Sequence, residues 1–156
     1  MADEKLNLTM RRIAIMLLTC CALASAVAAE PQWLTNLPKA VEQAKKENKM
    51  VLLNFTGSDW CGWCIKFKNE ALDTSEFAQY AATNLVLVEF DFPDKKPQSD
   101  QLKRVNQNAA TYYKVTGYPT FILLNKDGKE IGRQDGYEEG GAHAFIARID
   151  KFKASH

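Results

Sequence analysis

The 156-residue sequence predicts an α/β sandwich, in which helices flank a mixed central sheet. Two observations support this fold class. Continuous apolar runs, typical of buried strands, alternate with segments whose apolar residues recur at helical spacing. The last third of the chain then has two short strands joined by a turn signal and followed by a final helix, which adds an antiparallel pair to the sheet.

The predicted helices start at capping residues or present one apolar face. Asn36 is expected to cap helix 37–48, with Pro38 in its first turn. Ser75 is expected to cap a short helix to about Thr83. The remaining helices are expected over 61–72, after a Gly-Ser-Asp turn, and, from the spacing of their apolar residues, over 99–113 and 141–153.

The predicted strands are rich in leucine, β-branched and aromatic residues. Residues 50–56 and 85–92 are apolar almost throughout, as expected for strands that are buried on both faces, although Glu89 interrupts the second. Strands 121–124 and 130–135 flank an Asn-Lys-Asp-Gly segment, which is a hairpin signal. The order of strands and helices therefore supports one sheet with helices on its faces.

The N-terminal segment has the pattern of a secretory signal peptide: an arginine pair, an apolar stretch and a run of small residues. Cleavage is expected after Ala28 or Ala29. Met10 is an alternative start, because acidic residues dilute the positive charge before it. The pattern predicts a signal peptide over 1–29 and one mature domain over 30–156, located in the periplasm. An uncleaved membrane anchor is the alternative.

The motif Trp60-Cys61-Gly62-Trp63-Cys64 carries the most specific chemical signal. Two cysteines three positions apart at a helix start can form or break a disulfide without backbone movement. The positive end of the helix dipole would stabilise a thiolate on Cys61. A structural disulfide this short would restrain the unfolded chain little, and a zinc site would need ligands from distant segments. The motif therefore indicates thiol–disulfide exchange, with no metal and no cofactor beyond the cysteine pair.

The composition sets bounds on the function. The chain is 46% hydrophobic and 25% charged, with a formal net charge of +1, which is ordinary for a globular domain. It has no basic stripe of the kind that binds nucleic acid. We therefore expect no nucleic-acid partner, and we separately expect the single domain to be a monomer.

The cysteine motif, the order of the elements and the later segment Gly117-Tyr118-Pro119 resemble the thioredoxin family. From Trp33 onward, the chain looks closest to exported DsbH-type oxidoreductases, and it also resembles the C-terminal domain of DsbD-type proteins. The resemblance implies a three-layer, thioredoxin-like sandwich. It implies that Cys61 is an exposed attacking thiolate, that Cys64 resolves the mixed disulfide, and that Pro119 is a cis proline beside them.

The same resemblance implies a substrate-binding surface around the cysteines. Its expected members are Trp60, Gly62, Trp63, Gly117 and Tyr118. The backbone at Tyr118 is expected to pair with an extended client segment. The two tryptophans are alternatively plain core aromatics, but an apolar rim beside an exposed thiol favours a docking use, for Trp60 above all.

The chain departs from the family pattern at one buried pair. A strand aspartate that is thought to accept the resolving cysteine's proton is replaced by Asn54, and its partner lysine by Leu87. Glu89, on the same strand as Leu87, is a candidate substitute that would act through water. Proton transfer from Cys64 therefore has no obvious acceptor in the sequence.

These features predict a periplasmic thiol–disulfide reductase that acts on exported, cysteine-containing client proteins. The resemblance implies recharging by a membrane electron donor of DsbD type. Gly62 and Trp63 place neither histidine nor another cation between the cysteines, which favours a reducing site. Isomerase or oxidase activity is the alternative reaction. A thioredoxin-fold binding or chaperone module with a vestigial cysteine pair is the alternative of another class.

Overall fold

The computed structural model describes residues 31–155, so the predicted signal peptide, its cleavage position and the start at Met10 lie outside the described residues. The elements in chain order are β1 (Trp33–Leu34), α1 (Leu37–Glu47), β2 (Met50–Thr56), α2 (Gly62–Phe67), a π-helical turn (Lys68–Leu72), α3 (Ser75–Asn84), β3 (Leu85–Asp91), α4 (Asp100–Tyr112), β4 (Thr120–Leu124), β5 (Glu130–Asp135) and α5 (Gly141–Ala154).

The five strands form one mixed sheet in the order β1-β3-β2-β4-β5. Strands β1, β3 and β2 run parallel to one another, whereas β4 is antiparallel to both β2 and β5. Strand β2 is therefore central, and it is buried from Val51 to Thr56, as its apolar run predicts. The predicted α/β sandwich with a mixed sheet is confirmed.

A hydrophobic core lies on each face of the sheet, which gives the three layers. One core packs α2, α3 and α5 against the sheet through, among others, Phe67, Phe77, Phe145 and Ile149. The other packs α1 and α4 through Ala40, Ala44, Ala110 and Tyr113. Because both faces are covered, the ends of the strands are where a site can open to solvent.

Local capping agrees with the sequence at one predicted helix start and differs at another. The Asn36 side chain accepts a hydrogen bond from the Lys39 amide at 3.0 Å, as predicted. The assignment of Ser75 as a cap was wrong. Thr74 is the N-cap, because its hydroxyl accepts from the Phe77 amide at 3.2 Å, and Ser75 is the first helical residue.

The helix predicted over 61–72 is interrupted. Cys61 lies just outside it as the N-cap, α2 ends at Phe67, and the chain continues as the π-helical turn. The start of α5 approaches this turn so closely that a side chain at Gly141 would place its Cβ 2.9 Å from the Glu70 carbonyl oxygen. Within residues 31–155, no helix combines the length and the apolar composition that crossing a bilayer requires.

Candidate active site

The two cysteines of the motif span the first turn of α2. Cys61 has extended backbone angles (φ −78°, ψ 100°), and Cys64 is the third residue of the helix. The two form a disulfide with 5.2 Å between their Cα atoms. The Cys61 sulfur also accepts a hydrogen bond from the Cys64 amide at 3.2 Å. The helix start therefore directs an N–H donor at the sulfur of Cys61.

Both cysteines are buried when they are joined. Cys61 is 7% exposed and Cys64 is 4% exposed, so the expectation that Cys61 is an exposed thiolate does not hold for this disulfide form. The reason is local, because the Cys61 sulfur turns inward to bond to Cys64 and to cap the helix. The flanking tryptophans provide the exposed surface instead, at 51% for Trp60 and 58% for Trp63.

Trp60 joins three segments of the site. Its indole N–H donates to the Phe92 carbonyl oxygen at 2.7 Å, and its ring meets the Tyr118 ring edge-to-face at 6.0 Å. Phe92 in turn stacks on Tyr118 at 5.0 Å. Trp60 is therefore not a core aromatic, since it links the cysteine loop to the segments that follow β3 and precede β4.

The segment Gly117-Tyr118-Pro119 runs beside the cysteines. The Tyr118–Pro119 peptide bond is cis. Pro119 is buried and lines the same cavity as Cys64, whereas Gly117 is exposed and Tyr118 is half-buried. The Gly117 carbonyl accepts from the Thr120 hydroxyl at 2.9 Å, which ties the segment to the start of β4.

Trp63 has a partner that the sequence analysis missed. Its ring stacks on Tyr137 with 5.0 Å between centroids, and the Lys66 ammonium lies 4.7 Å from the Tyr137 ring. The Tyr137 hydroxyl donates to the Glu70 carboxylate at 2.7 Å. Tyr137 follows β5, far from the motif in sequence, so no local pattern could have indicated this contact.

A cavity of about 150 Å³ lies behind Cys64. Asn54 and Glu89 face it from the neighbouring strands β2 and β3, where they are register partners. The Asn54 amide donates to the Glu89 carboxylate at 3.5 Å. The assignment of Leu87 as the position paired with Asn54 was therefore wrong, because Leu87 lies opposite Leu52 and packs in the core.

The Glu89 carboxyl is sensitive to its surroundings. Burial raises its pKa above the ordinary value, and the nearby negative charge of Asp91 raises it further. The positive charges of Lys68 and Lys96 act in the opposite direction without reversing the shift. Cys64 thus shares its cavity with a carboxylate that binds a proton more readily than an exposed glutamate.

The side chains of Ser58 and Asp59, just before the motif, bind the end of β3 and the loop that follows β3. The Asp59 carboxylate accepts from the backbone amides of Asp94, Lys95 and Lys96 at 2.8–2.9 Å. These hydrogen bonds lower the pKa of Asp59, and the bond from the Asp94 amide has the largest effect. The amide and hydroxyl of Ser58 donate to Asp91 at 2.9 and 2.6 Å. The cysteine loop and the loop after β3 are therefore one hydrogen-bonded unit.

A family model for a thioredoxin-like domain matches residues 37–153, which include nearly all of this fold and its cysteine site. The chain belongs to the thioredoxin-like family. Within the described part of this thioredoxin-like domain, no group of three or more histidine, cysteine, aspartate or glutamate side chains is placed to hold a metal ion.

Individual relatives agree with the family assignment. The disulfide bond reductase DsbH of Chlamydia pneumoniae is 40% identical over 122 residues, which cover 78% of this chain and 72% of that protein. A solved structure of a DsbH oxidoreductase superposes with a TM-score of 0.75 at 37% identity, covering 82% and 88% of the two chains.

A more distant match is the thiol:disulfide interchange protein DsbD of Actinobacillus pleuropneumoniae serotype 5b, which is 26% identical over 102 residues. These residues cover 64% of this chain but 16% of DsbD. The predicted resemblance to DsbH-type and DsbD-type proteins is confirmed. The thioredoxin-like domain is a disulfide oxidoreductase with a Cys61–Cys64 pair.

Proposed function

We propose that the domain is a periplasmic reductase of protein disulfides, in which Cys61 attacks the client and Cys64 releases it. The observation that carries the proposal is the position of the pair at the start of α2, where the Cys61 sulfur faces the Cys64 amide at 3.2 Å. A thiolate accepts this hydrogen bond more strongly than a thiol does, so the same donor favours the nucleophilic form of Cys61.

The reaction then takes two steps. The Cys61 thiolate attacks one sulfur of a client disulfide, which forms a mixed disulfide and releases the other client sulfur as a thiolate. Cys64 next attacks the Cys61 sulfur, which forms the Cys61–Cys64 disulfide and releases the second client thiolate. Two electrons pass from the enzyme dithiol to the client. The 5.2 Å Cα separation is within the range for a disulfide, so the second step needs no backbone movement.

The surface around the pair suits an extended client. Gly117 is exposed and Tyr118 is half-buried, and they directly precede Pro119, which lines the cavity with Cys64. A client strand that lies along this segment would form hydrogen bonds that depend little on its sequence. Trp60 and Trp63 provide exposed aromatic area on either side of Cys61 in the sequence. Such area binds unfolded or extended segments through apolar contact.

Four observations support the reducing direction, the exported location and the type of electron donor. Gly62 and Trp63 are uncharged, so no side chain between the cysteines stabilises the thiolate of the reduced form. The 40% identical relative is named a disulfide bond reductase. The N-terminal sequence has the pattern of a signal peptide, and the similarity to DsbD supports a membrane electron donor of that type.

The activity is tested by insulin reduction with dithiothreitol. The wild type should accelerate precipitation of the insulin chains, and Cys61→Ser should return the rate to background. A wild-type rate at background would instead indicate a binding or chaperone module.

The direction of electron flow is tested separately, by equilibrating the protein in glutathione buffers to measure its reduction potential. We expect a potential nearer about −270 mV, as in thioredoxin, than about −120 mV, as in the strong oxidant DsbA. A value near −120 mV would refute the reductase and favour the oxidase, and a value near −180 mV would favour the isomerase.

A further inference from the structure

The cavity behind Cys64 has the features of a route for a proton. Its volume of about 150 Å³ far exceeds the roughly 10–15 Å³ that one water molecule needs by this kind of measure. Polar groups from separate elements line it: Asn54 from β2, Glu89 and Asp91 from β3, Lys68 from the π-helical turn, and Lys96 from the loop after β3. Such a lining provides the several partners that an internal water requires.

Asn54 supports this reading independently. Its side chain is 4% exposed, and its Oδ1 atom has no hydrogen-bond donor among the residues that the structure describes. A buried acceptor without a donor is costly, at about 1–3 kcal/mol, so this cavity favours the entry of an O–H group. Water or a protonated Glu89 would supply one, because Glu89 is the hydrogen-bonded neighbour of Asn54.

The second step of the proposed reaction needs a proton acceptor at this place. An ordinary cysteine thiol has a pKa of about 8.5, so a thiol that attacks at neutral pH generally has to give up a proton. Cys64 is the third residue of α2 and is 4% exposed, so bulk solvent reaches it poorly. Cys64 lines the cavity together with Glu89 and Asp91, so two carboxyl groups share the cavity with this thiol.

We propose that Glu89 accepts the thiol proton of Cys64, through water in this cavity, when Cys64 attacks the mixed disulfide. The proton moves from the Cys64 sulfur to the Glu89 carboxylate, and the resulting thiolate attacks the Cys61 sulfur. The bond between Cys61 and the client breaks, and the client sulfur leaves with the electron pair. Glu89 afterwards returns the proton to solvent. This inference rests on the roles proposed above for the two cysteines.

Of the two carboxylates in the cavity, Glu89 is better suited to accept the proton of Cys64. Asp91 already accepts from both the amide and the hydroxyl of Ser58, so each of its carboxylate oxygens already has a hydrogen-bond donor. Among residues 31–155, the Glu89 side chain accepts a single hydrogen bond, from the Asn54 amide at 3.5 Å. Lys96 donates to the Ser58 hydroxyl at 3.1 Å, and Lys68 is paired with Asp73, so both ammonium groups have other partners.

The two chemical steps can be separated with dithiobis(nitrobenzoic acid), which releases one coloured thiolate when Cys61 attacks and a second when Cys64 resolves. In stopped-flow mixing with the reduced protein, Glu89→Gln should leave the first release unchanged. It should slow the second by at least about tenfold at neutral pH, since positioned acid–base groups typically contribute about 10²–10⁴-fold. Glu42→Gln, an exposed carboxylate on α1, is the matched control and should change neither release.

The pH profile excludes a merely structural role. In the wild type, the second release should rise as Glu89 ionises and then level off. In Glu89→Gln it should keep rising toward the thiol pKa, so that the two rates converge in alkali. Glu89→Asp should keep the wild-type shape, and it decides the question if Glu89→Gln does not fold. Identical second-release profiles in the wild type and Glu89→Gln would overturn the inference. Absence of the first release in the wild type would refute the proposed function instead.

Discussion

The ring of Trp60 lies so close to Gly57 that any side chain at this position must displace it. A Cβ added at Gly57 would lie 2.5 Å from the indole Cε2 atom, so Gly57→Ala must displace the indole. The displaced ring would lose its hydrogen bond to the Phe92 carbonyl and its contact with Tyr118. The hydrogen bond contributes about 0.5–1.5 kcal/mol, and the aromatic pair a similar amount. Because Trp60 is half exposed, we expect a loss of about 1–2 kcal/mol.

The assay is urea unfolding of the reduced protein by circular dichroism, with tryptophan fluorescence as the report on the ring. Gly62→Ala is the matched control, because a Cβ there meets nothing within 4 Å. That variant should gain about 0.4–1 kcal/mol, since alanine restricts the unfolded chain. Insulin reduction by Gly57→Ala should also slow, because Trp60 leaves the rim. A Gly57→Ala protein as stable as the wild type, with unchanged fluorescence, would refute the packing argument.

Three other perturbations have defined outcomes. Cys64→Ser should accumulate mixed disulfides with clients on non-reducing gels, since it lacks the intramolecular thiol, whose effective molarity can reach about 10⁵–10⁸ M. Cys61→Ser should accumulate none, and equal trapping by both variants would refute the assigned roles. Glu89→Gln should be more stable than the wild type at pH 7 in chemical unfolding, because the raised pKa of Glu89 means that the folded state disfavours its charged form. This gain in stability should vanish below about pH 4, where the carboxyl is protonated in the unfolded state as well. Asp59→Asn should instead be less stable than the wild type at neutral pH, because the lowered pKa of Asp59 means that the folded state favours its charged form. This difference in stability should disappear as acid protonates the carboxyl in the folded state. A stability difference that is the same at every pH would contradict the prediction.

The sequence predicted most of the fold because strong local signals marked its elements. The apolar runs of β2 and β3 and the hairpin turn at Asn125–Gly128 all appear in the structure. The two residues of β1 are too few to show a periodicity, and the sequence analysis did not find this strand. Nothing in the pattern of 61–72 distinguishes a π-helical turn from an α-helix, and such turns are rare and occur mostly as single-turn interruptions of α-helices.

The site was predictable where its residues are contiguous and not where the sheet brings them together. The motif from Trp60 to Cys64 and the segment ending at Pro119 were identified from sequence. The pairing of Asn54 with Glu89 depends on the relative register of two parallel strands, and an error of two residues assigned Leu87 in its place. Tyr137 reaches Trp63 only because the loop after β5 folds back over the helix.

The edges of the sheet affect how such a protein tolerates its own clients. An open edge strand is a template for pairing with another extended chain, and such pairing leads to aggregation. Here β1 presents only two residues at one edge, and β5 carries Glu130, Arg133 and Asp135 at the other. Short or charged edges resist strand addition. In the proposed function, clients bind at the Gly117–Tyr118 segment, and the short or charged edges disfavour a competing strand addition that would lead to aggregation.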